Sequence, residues 1–366
     1  MNILINSGRV LPYLATRRKL ITSIISQGHK VILTGYQVGY EDEIEKIGAS
    51  FIMVPFERAG FNPFSDLRLL RKYYRIIKEN KIDLVHSYTI KPNIYGSIAA
   101  YLCGIRNIFP TLNGIGYAFT GNGLKAFITR QIASLFYFIT FRCSKKVFFH
   151  NRDDIELIVN HNLIKLDKCV LIAGSGIDLE YYRKQDIPDE ISFLLISRLL
   201  KVKGVIEYIK AAEKIKLLYP DINFKLVGPA DPNPTGIKIS EIQSYLDKGI
   251  IEYFGRQDDI RPFLKEAAVF VLPSYREGLS HTILEAMAVG RAIITTNVPG
   301  CKETVLDGLN GYLVEPYSVD DLADKMKALV EDPQIVKEMG NKSFQMAADL
   351  FEVGKVNKNI MDVMGL

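Results

Sequence analysis

Cysteine is scarce in this chain of 366 residues, and so is any arrangement of ligands that would hold a metal. Cys103, Cys143, Cys169 and Cys301 stand far apart, without metal or redox spacing. They fit free thiols, buried by default, in a reducing cytosol. His29, His86, His150, His161 and His281 form no metal-binding pair, and no Asp-x-Asp occurs anywhere. In the most apolar segment the longest uncharged run, Gln131 to Phe141, falls far short of the about 20 residues that cross a bilayer. Low-complexity tracts and short repeats are missing. The chain starts directly on a strand pattern without a signal-peptide layout, so a cytoplasmic location is expected.

What is present suggests two domains, because the chain is too long for one ordinary core. Both halves alternate strand and helix patterns, as parallel α/β layers do. Strands are expected at 1–6, 30–34, 50–54, 84–87 and 146–150, and again at 193–197, 223–227, 251–254, 269–272 and 292–295. A helix is expected over Leu67–Asn80. The pattern is interrupted near Gly174-Ser-Gly-Ile-Asp178, which divides the chain into 1–177, 178–342 and a terminal helical stretch within 343–366.

Charge is divided unevenly. Residues 1–185 hold 25 Lys and Arg against 14 Asp and Glu, whereas residues 186–366 hold 21 against 27. A basic first half suits nucleic acid, an anionic lipid surface or a phosphorylated substrate. No nucleic-acid module is found. Basic residues interleave with apolar ones at Arg17-Arg18-Lys19 and from Lys125 and Arg130 to Arg142. The second segment fits either a core helix or a helix lying in a membrane interface.

The strongest chemical signal is Glu277-Gly-Leu-Ser-His-Thr-Ile-Leu-Glu285. Phe270 to Ser274 reads as a buried strand, and Thr282 to Val289 reads as a helix. Glu277 therefore sits on a strand-to-helix loop and Glu285 inside the helix. Between them, the backbone of Gly278, Leu279, Ser280, His281 and Thr282 opens the helix, where free N–H groups favour a phosphate. For His281 the backbone N–H, rather than the ring, is the expected contact. Carboxylates that accept from hydroxyls, flanking a phosphate cradle, suit a nucleotide sugar. Upstream, Phe193-Leu-Leu-Ile-Ser-Arg198-Leu-Leu-Lys-Val-Lys203-Gly204 places Arg198 and Lys203 at the carboxyl end of a strand, where α/β sheets bind ligands. An Arg fork and a Lys point charge suit a diphosphate. Each segment taken alone also fits a solvated loop; the two together are far more specific.

Arg198-x4-Lys203 followed by Glu277-x7-Glu285 resembles the signature of retaining GT-B glycosyltransferases of family four. The resemblance continues through Ala292-Ile-Ile-Thr-Thr, Pro299-Gly-Cys-Lys-Glu303 and Asp307-Gly-Leu-Asn-Gly-Tyr-Leu-Val314. Phe56–Phe64, Lys91–Ala100, Gly114–Thr120 and Asp231-Pro-Asn-Pro234 resemble the subgroup that acts on polyprenyl-diphosphate-linked sugars in N-glycan, O-antigen and capsule assembly. The resemblance implies two Rossmann-like domains facing each other across a cleft, with the terminal helix returning to the first. It implies a UDP-sugar donor, with UDP-N-acetylhexosamine such as UDP-GalNAc the first choice. The implied acceptor is a lipid-linked saccharide at the cytoplasmic membrane face, contacted through Arg17, Arg18, Lys19, Lys125 and Arg130.

On the same resemblance Glu285 takes the ribose hydroxyls and Glu277 the donor sugar, while Arg198 and Lys203 stabilise the leaving UDP. Gly8 would lie near the diphosphate, although an ordinary turn there is as consistent with one glycine. Asn113 stands where many members carry a histidine that contacts the donor sugar. The other common transferase fold holds a divalent ion with Asp-x-Asp, so no metal or other cofactor is expected here. A UDP-sugar 2-epimerase, a non-catalytic glycan-binding partner of the same fold, and a transferase with a soluble acceptor are the competing readings. The first needs differently placed groups, the second has no need of all four charged residues, and the basic, aromatic first half disfavours the third.

Overall fold

A computed structural model describes residues 1–8, 10–36, 39–57, 60, 62–115, 123–233 and 235–366. The side chains of Leu11, Pro12, Leu124, Lys125 and Ala126 lie outside the described parts. So do Arg58, Ala59 and Phe61, residues 116–120 and Pro234, all within the subgroup segments quoted above. The described residues divide into two units, Met1–Gly176 with Val353–Leu366, and Ile177–Glu352.

The first unit carries seven parallel strands: β1 (Asn2–Asn6), β2 (Lys30–Gly35), β3 (Ser50–Met53), β4 (Leu84–Tyr88), β5 (Asn107–Leu112), β6 (Val147–Phe149) and β7 (Cys169–Leu171). Their order is β3-β2-β1-β4-β5-β6-β7. The second unit carries six: β8 (Ser192–Ile196), β9 (Asn223–Val227), β10 (Glu252–Tyr253), β11 (Val269–Leu272), β12 (Ala292–Thr296) and β13 (Gly311–Val314), in the order β10-β9-β8-β11-β12-β13. Each sheet has the doubly wound Rossmann order, which reverses direction between its first and fourth strands. The central strands of the second sheet are buried, apolar runs, as in Phe193-Leu-Leu-Ile196 and Val269-Phe-Val-Leu272, because helices cover both faces.

Helix starts follow local chemistry. Asn62 accepts from the N–H groups of Phe64 and Ser65 ahead of Pro63–Glu79, and Asn151 accepts from Asp154 ahead of Arg152–Asn160. The terminal stretch is not one helix. Pro333–Leu350 belongs to the second unit, the chain breaks at Phe351 and Glu352, and Val353–Met364 packs in the first. There Val356, Ile360, Met361 and Met364 join Leu20, Ile21 and Ile24 in one apolar cluster. Only Cys301 is fully buried; the other three thiols are half-buried.

Under the first sheet's carboxyl edge lies a polar cluster. Arg17 separates helices Leu11–Thr16 and Arg18–Ser26 and turns inward, 7% exposed, with its guanidinium 4.4 Å over the Tyr88 ring. This corrects its expected membrane role: a buried, stacked guanidinium cannot face lipid. His86 Nδ1–H donates to the Phe109 carbonyl (2.7 Å), and Nε2 accepts from the Tyr88 hydroxyl (2.5 Å). Burial, and then Arg17, pushes His86 and His150 down to about 3, so both rings stay neutral. The unfolded rings titrate near 6.5, so below that pH the unfolded chain binds more protons and stability falls towards about 3. Between pH 7.5 and 5 each ring should contribute a loss of about 1–2 kcal/mol. Urea unfolding at both pH values checks this, and His86→Gln should flatten the dependence.

Candidate active site

The second sheet reverses between β8 and β11, leaving a crevice at their carboxyl ends. The loops after these strands are tied together, because Tyr275 N–H donates to the Val202 carbonyl at 2.9 Å. Gly204 has φ +69°, and a Cβ there would lie 2.1 Å from the Pro273 carbonyl oxygen. Only glycine permits that approach. Lys203 consequently meets Glu277, its Nζ paired with Oε1.

A third loop, after β12, clamps Glu277 from the other side. Glu277 N–H donates to the Pro299 carbonyl at 2.9 Å. Gly300, at φ +82°, comes so close that a Cβ would lie 2.3 Å from the Glu277 carbonyl oxygen. Next to it Cys301 is fully buried. Burial, and then the charge of Glu277, pushes its thiol up to about 12. Arg198 stands where β8 ends, its Nη1 donating to Asp231 Oδ2 at 2.6 Å from the loop after β9. The other oxygen of Asp231 accepts from Asn233 N–H at 2.9 Å.

Helix His281–Val289 begins without a side-chain cap, since the Ser280 hydroxyl bonds Thr282 Oγ1 instead (3.2 Å). The N–H groups of His281, Thr282 and Ile283 therefore have no carbonyl behind them in the helix. One expectation changes. The Ser280 N–H donates to the Gly300 carbonyl at 3.0 Å, so it closes the loop and is not open to a ligand. Gly278 and Leu279 complete the turn. Glu285, 8% exposed, is held by the Tyr182 hydroxyl (2.7 Å) and by His281 Nδ1 (3.0 Å). The His281 ring thus has a role beyond its backbone N–H. Burial, then Glu285, raises the Tyr182 phenol far above its usual range, so it remains a donor. Neither Tyr182 nor Asp231 was legible as a partner; they lie 103 and 33 residues from the groups they hold.

Gly8 and Asn113 stand in the first unit, where both line a cavity of about 360 Å³. Arg18 is exposed, while Lys19 and Arg130 are half-buried. Within the second unit two cations, an uncapped helix start and two fixed carboxylates form a constellation for an anion bearing hydroxyl-rich groups. Because the Gly300 contact fixes the loop, Gly300→Ala should introduce strain on the order of 1–3 kcal/mol and loosen it. Peptide-resolved alkylation should find Cys301 the slowest thiol in the native chain and at least about tenfold faster in the variant.

Similarity to known proteins extends over both units. The Glycosyl transferases group 1 profile matches residues 179–346, and Glycosyl transferase 4-like matches residues 12–151. The N,N'-diacetylbacillosaminyl-diphospho-undecaprenol alpha-1,3-N-acetylgalactosaminyltransferase of Campylobacter jejuni is 28% identical over 345 residues, 90% of each chain. The UDP-Gal:alpha-D-GlcNAc-diphosphoundecaprenol alpha-1,3-galactosyltransferase of Escherichia coli is 26% identical, over 76% of this chain and 74% of its own length. Among solved structures, Anabaena Alr3699/HepE in complex with UDP superposes with a TM-score of 0.81 at 18% identity, covering 100% of both chains. These matches and the two Rossmann-type sheets show that the chain belongs to the group 1 glycosyltransferases of the GT-B fold.

Proposed function

We propose that this glycosyltransferase moves an N-acetylhexosamine, GalNAc being the first choice, from a UDP-sugar to a polyprenyl-diphosphate-linked saccharide, with retention at the anomeric carbon. The observation that carries the reading is the clustering of Arg198, Lys203 and Glu277 on laced loops next to the uncapped helix that bears Glu285. The diphosphoundecaprenol-linked substrates in the names of the two relatives support the acceptor class.

In this reading Glu285, already oriented by Tyr182 and His281, accepts the ribose hydroxyls. Glu277 accepts hydroxyls of the donor sugar. Lys203 has three N–H donors and can keep Glu277 while reaching the diphosphate. Arg198, Lys203 and the helix N–H groups stabilise charge on the departing UDP, so no metal is required. The acceptor hydroxyl attacks from the leaving-group face and passes its proton to a donor phosphate oxygen. No side chain serves as nucleophile.

Membrane association through the first unit is part of the proposal. No described helix is long and apolar enough to cross a membrane. Helix Leu124–Cys143 buries Tyr137 and Phe141 in its own core yet leaves Phe127 (55%), Ile128 (51%) and Leu135 (60%) exposed along one stripe. Arg142 covers Phe138 at the end of that stripe, at 4.6 Å. This face suits the cytoplasmic interface of a membrane, with Arg130 as its basic contributor, while Arg18 and Lys19 stand on a helix that packs in another cluster and enter the proposal as separate basic contacts.

The deciding experiment supplies a panel of UDP-sugars and a short polyprenyl-diphosphate-N-acetylhexosamine and follows UDP release and product mass. Release with one donor, only in the presence of acceptor, is expected, and chelation should leave it unchanged. Release without acceptor would indicate epimerase or hydrolase chemistry instead. Arg198→Ala and Glu277→Gln should each lower kcat/KM by about 10²–10³ while the far-UV spectrum is retained. Wild-type turnover in either would remove that residue from the mechanism. Leu135→Glu should weaken cosedimentation with anionic vesicles by at least about tenfold; undiminished pelleting would dismiss this face.

A further inference from the structure

The segment that follows β9 is laced onto the loop that carries Arg198. Gly228, just past β9, has φ +142°, and a Cβ there would lie 1.8 Å from the Ser197 carbonyl oxygen. Glycine alone lets the ends of β8 and β9 come this close. Beyond it, Leu199 N–H donates to the Pro229 carbonyl at 3.0 Å, Lys201 N–H to the Thr235 carbonyl at 3.0 Å, and Ile237 N–H to the Leu199 carbonyl at 2.9 Å. The segment is also tied to itself. Asn233 Oδ1 accepts from the N–H and from the hydroxyl of Thr235, both at 3.0 Å, and Gly236 N–H donates to the Asn233 carbonyl at 2.7 Å. A Cβ on Gly236 would lie 2.0 Å from the Asp231 carbonyl oxygen. Asp231 thus stands on backbone that is fixed at Pro229, Thr235 and Ile237 to the loop of Arg198.

Both oxygens of the Asp231 carboxylate are bonded. Oδ2 accepts from Arg198 Nη1 at 2.6 Å and Oδ1 from Asn233 N–H at 2.9 Å. The aspartate side chain is 13% exposed and the arginine 46%, so the carboxylate is the fixed partner and the guanidinium the one it restrains. A pair this open adds little to stability. It does not strengthen the attraction for an anion either, because a carboxylate beside an anion-binding cation repels the anion. What remains is orientation. A long side chain in solvent samples many rotamers, whereas holding one arm of a planar guanidinium fixes the plane of the rest. One of its five N–H donors is committed, and the others are left as an aimed fork.

We infer that Asp231 is a positioning residue for the transfer reaction: it holds one arm of Arg198 so that the free N–H donors meet the charge that develops on the departing diphosphate. The inference rests on the transferase reading above and deepens it. Many rotamers of a mobile Arg198 can pair with a bound diphosphate, but few meet the oxygen that leaves. The restraint therefore favours the transition state over the ground state. Asp231 acts on turnover and not on nucleotide affinity.

The test measures kcat with the UDP-sugar that the wild type uses, and UDP affinity by calorimetry, in full-length Asp231→Ala, Asp231→Asn, Arg198→Ala and the variant that combines Asp231→Ala with Arg198→Ala. Asp231→Ala should lower kcat about ten- to a hundredfold, while UDP binds as tightly as before or more tightly, because a repelling charge is gone. Asp231→Asn keeps the shape and one oxygen for Arg198, so it should recover part of the turnover. If Asp231→Ala disturbs the loop, the same comparisons are made with Asp231→Asn. In the combined variant kcat should equal that of Arg198→Ala alone, as it must for a residue that acts only through Arg198. Wild-type kcat in every folded Asp231 variant would overturn the inference. So would a loss of UDP affinity in parallel with kcat, which marks scaffolding only, or a further fall of about tenfold in the combined variant. Wild-type protein that binds UDP yet transfers from no donor would instead overturn the transferase reading, and the role of Asp231 with it.

Discussion

Lys203 reaches Glu277 because two glycines let three loops come into backbone contact. Gly204 against Pro273 and Gly300 against Glu277 leave no room for a Cβ, and the Val202–Tyr275 and Glu277–Pro299 bonds hold the approach. The consequence is chemical. Side chains from the ends of β8 and β11 and from the loop after β12 are brought to one edge of a sheet whose rigidity comes from its apolar strands. The helix that follows needs no cap of its own, because the same lacing, through Ser280 and Gly300, sets where its first turn begins. A side-chain cap would have used the N–H groups that remain available to an anion.

In the first unit the governing constraint is a cation buried without a carboxylate partner among the described residues. Arg17 finds the face of Tyr88 instead, and a stacked guanidinium tolerates that better than an ammonium would. Its charge, added to burial, keeps His86 and His150 neutral. A neutral His86 can accept from Tyr88 while donating to Phe109, so the guanidinium, the phenol and the imidazole support one another in a single protonation state.

Much of this was legible in the sequence. The alternation of apolar runs and helical patterns located ten of the strands, and the Arg198, Lys203, Glu277 and Glu285 spacing pointed to loops and a helix that lie at the carboxyl ends of the second unit's strands. β5 escaped because Pro110 sits inside it, and a proline argues against a strand paired on both sides. β7 is three residues long, too short to show a period, and β13 opens on Gly311. The inward turn of Arg17 depends on a helix break that nothing in Arg17-Arg18-Lys19 announces. The break at Phe351 was hidden for the opposite reason: the helical pattern continues across it, and the change of unit is a tertiary matter. Long-range partners such as Tyr182 on Glu285 have no local signal at all.

The lysine–carboxylate pairs show how burial, rather than residue type, decides what an ion pair can do. Lys203 and Glu277 are 21% and 14% exposed, and Arg198 is 46% exposed above Asp231. Solvent reaches these cations, so their attachment to one carboxylate is modest in free energy and a more highly charged anion can share or replace it. Lys91 and Asp66 are 6% and 7% exposed. There either partner alone would be an uncompensated charge out of water, so the pair persists whatever enters beside it. One unit therefore presents ion pairs that solvent reaches and another charge can disturb, and the other keeps a buried pair whose partners hold each other.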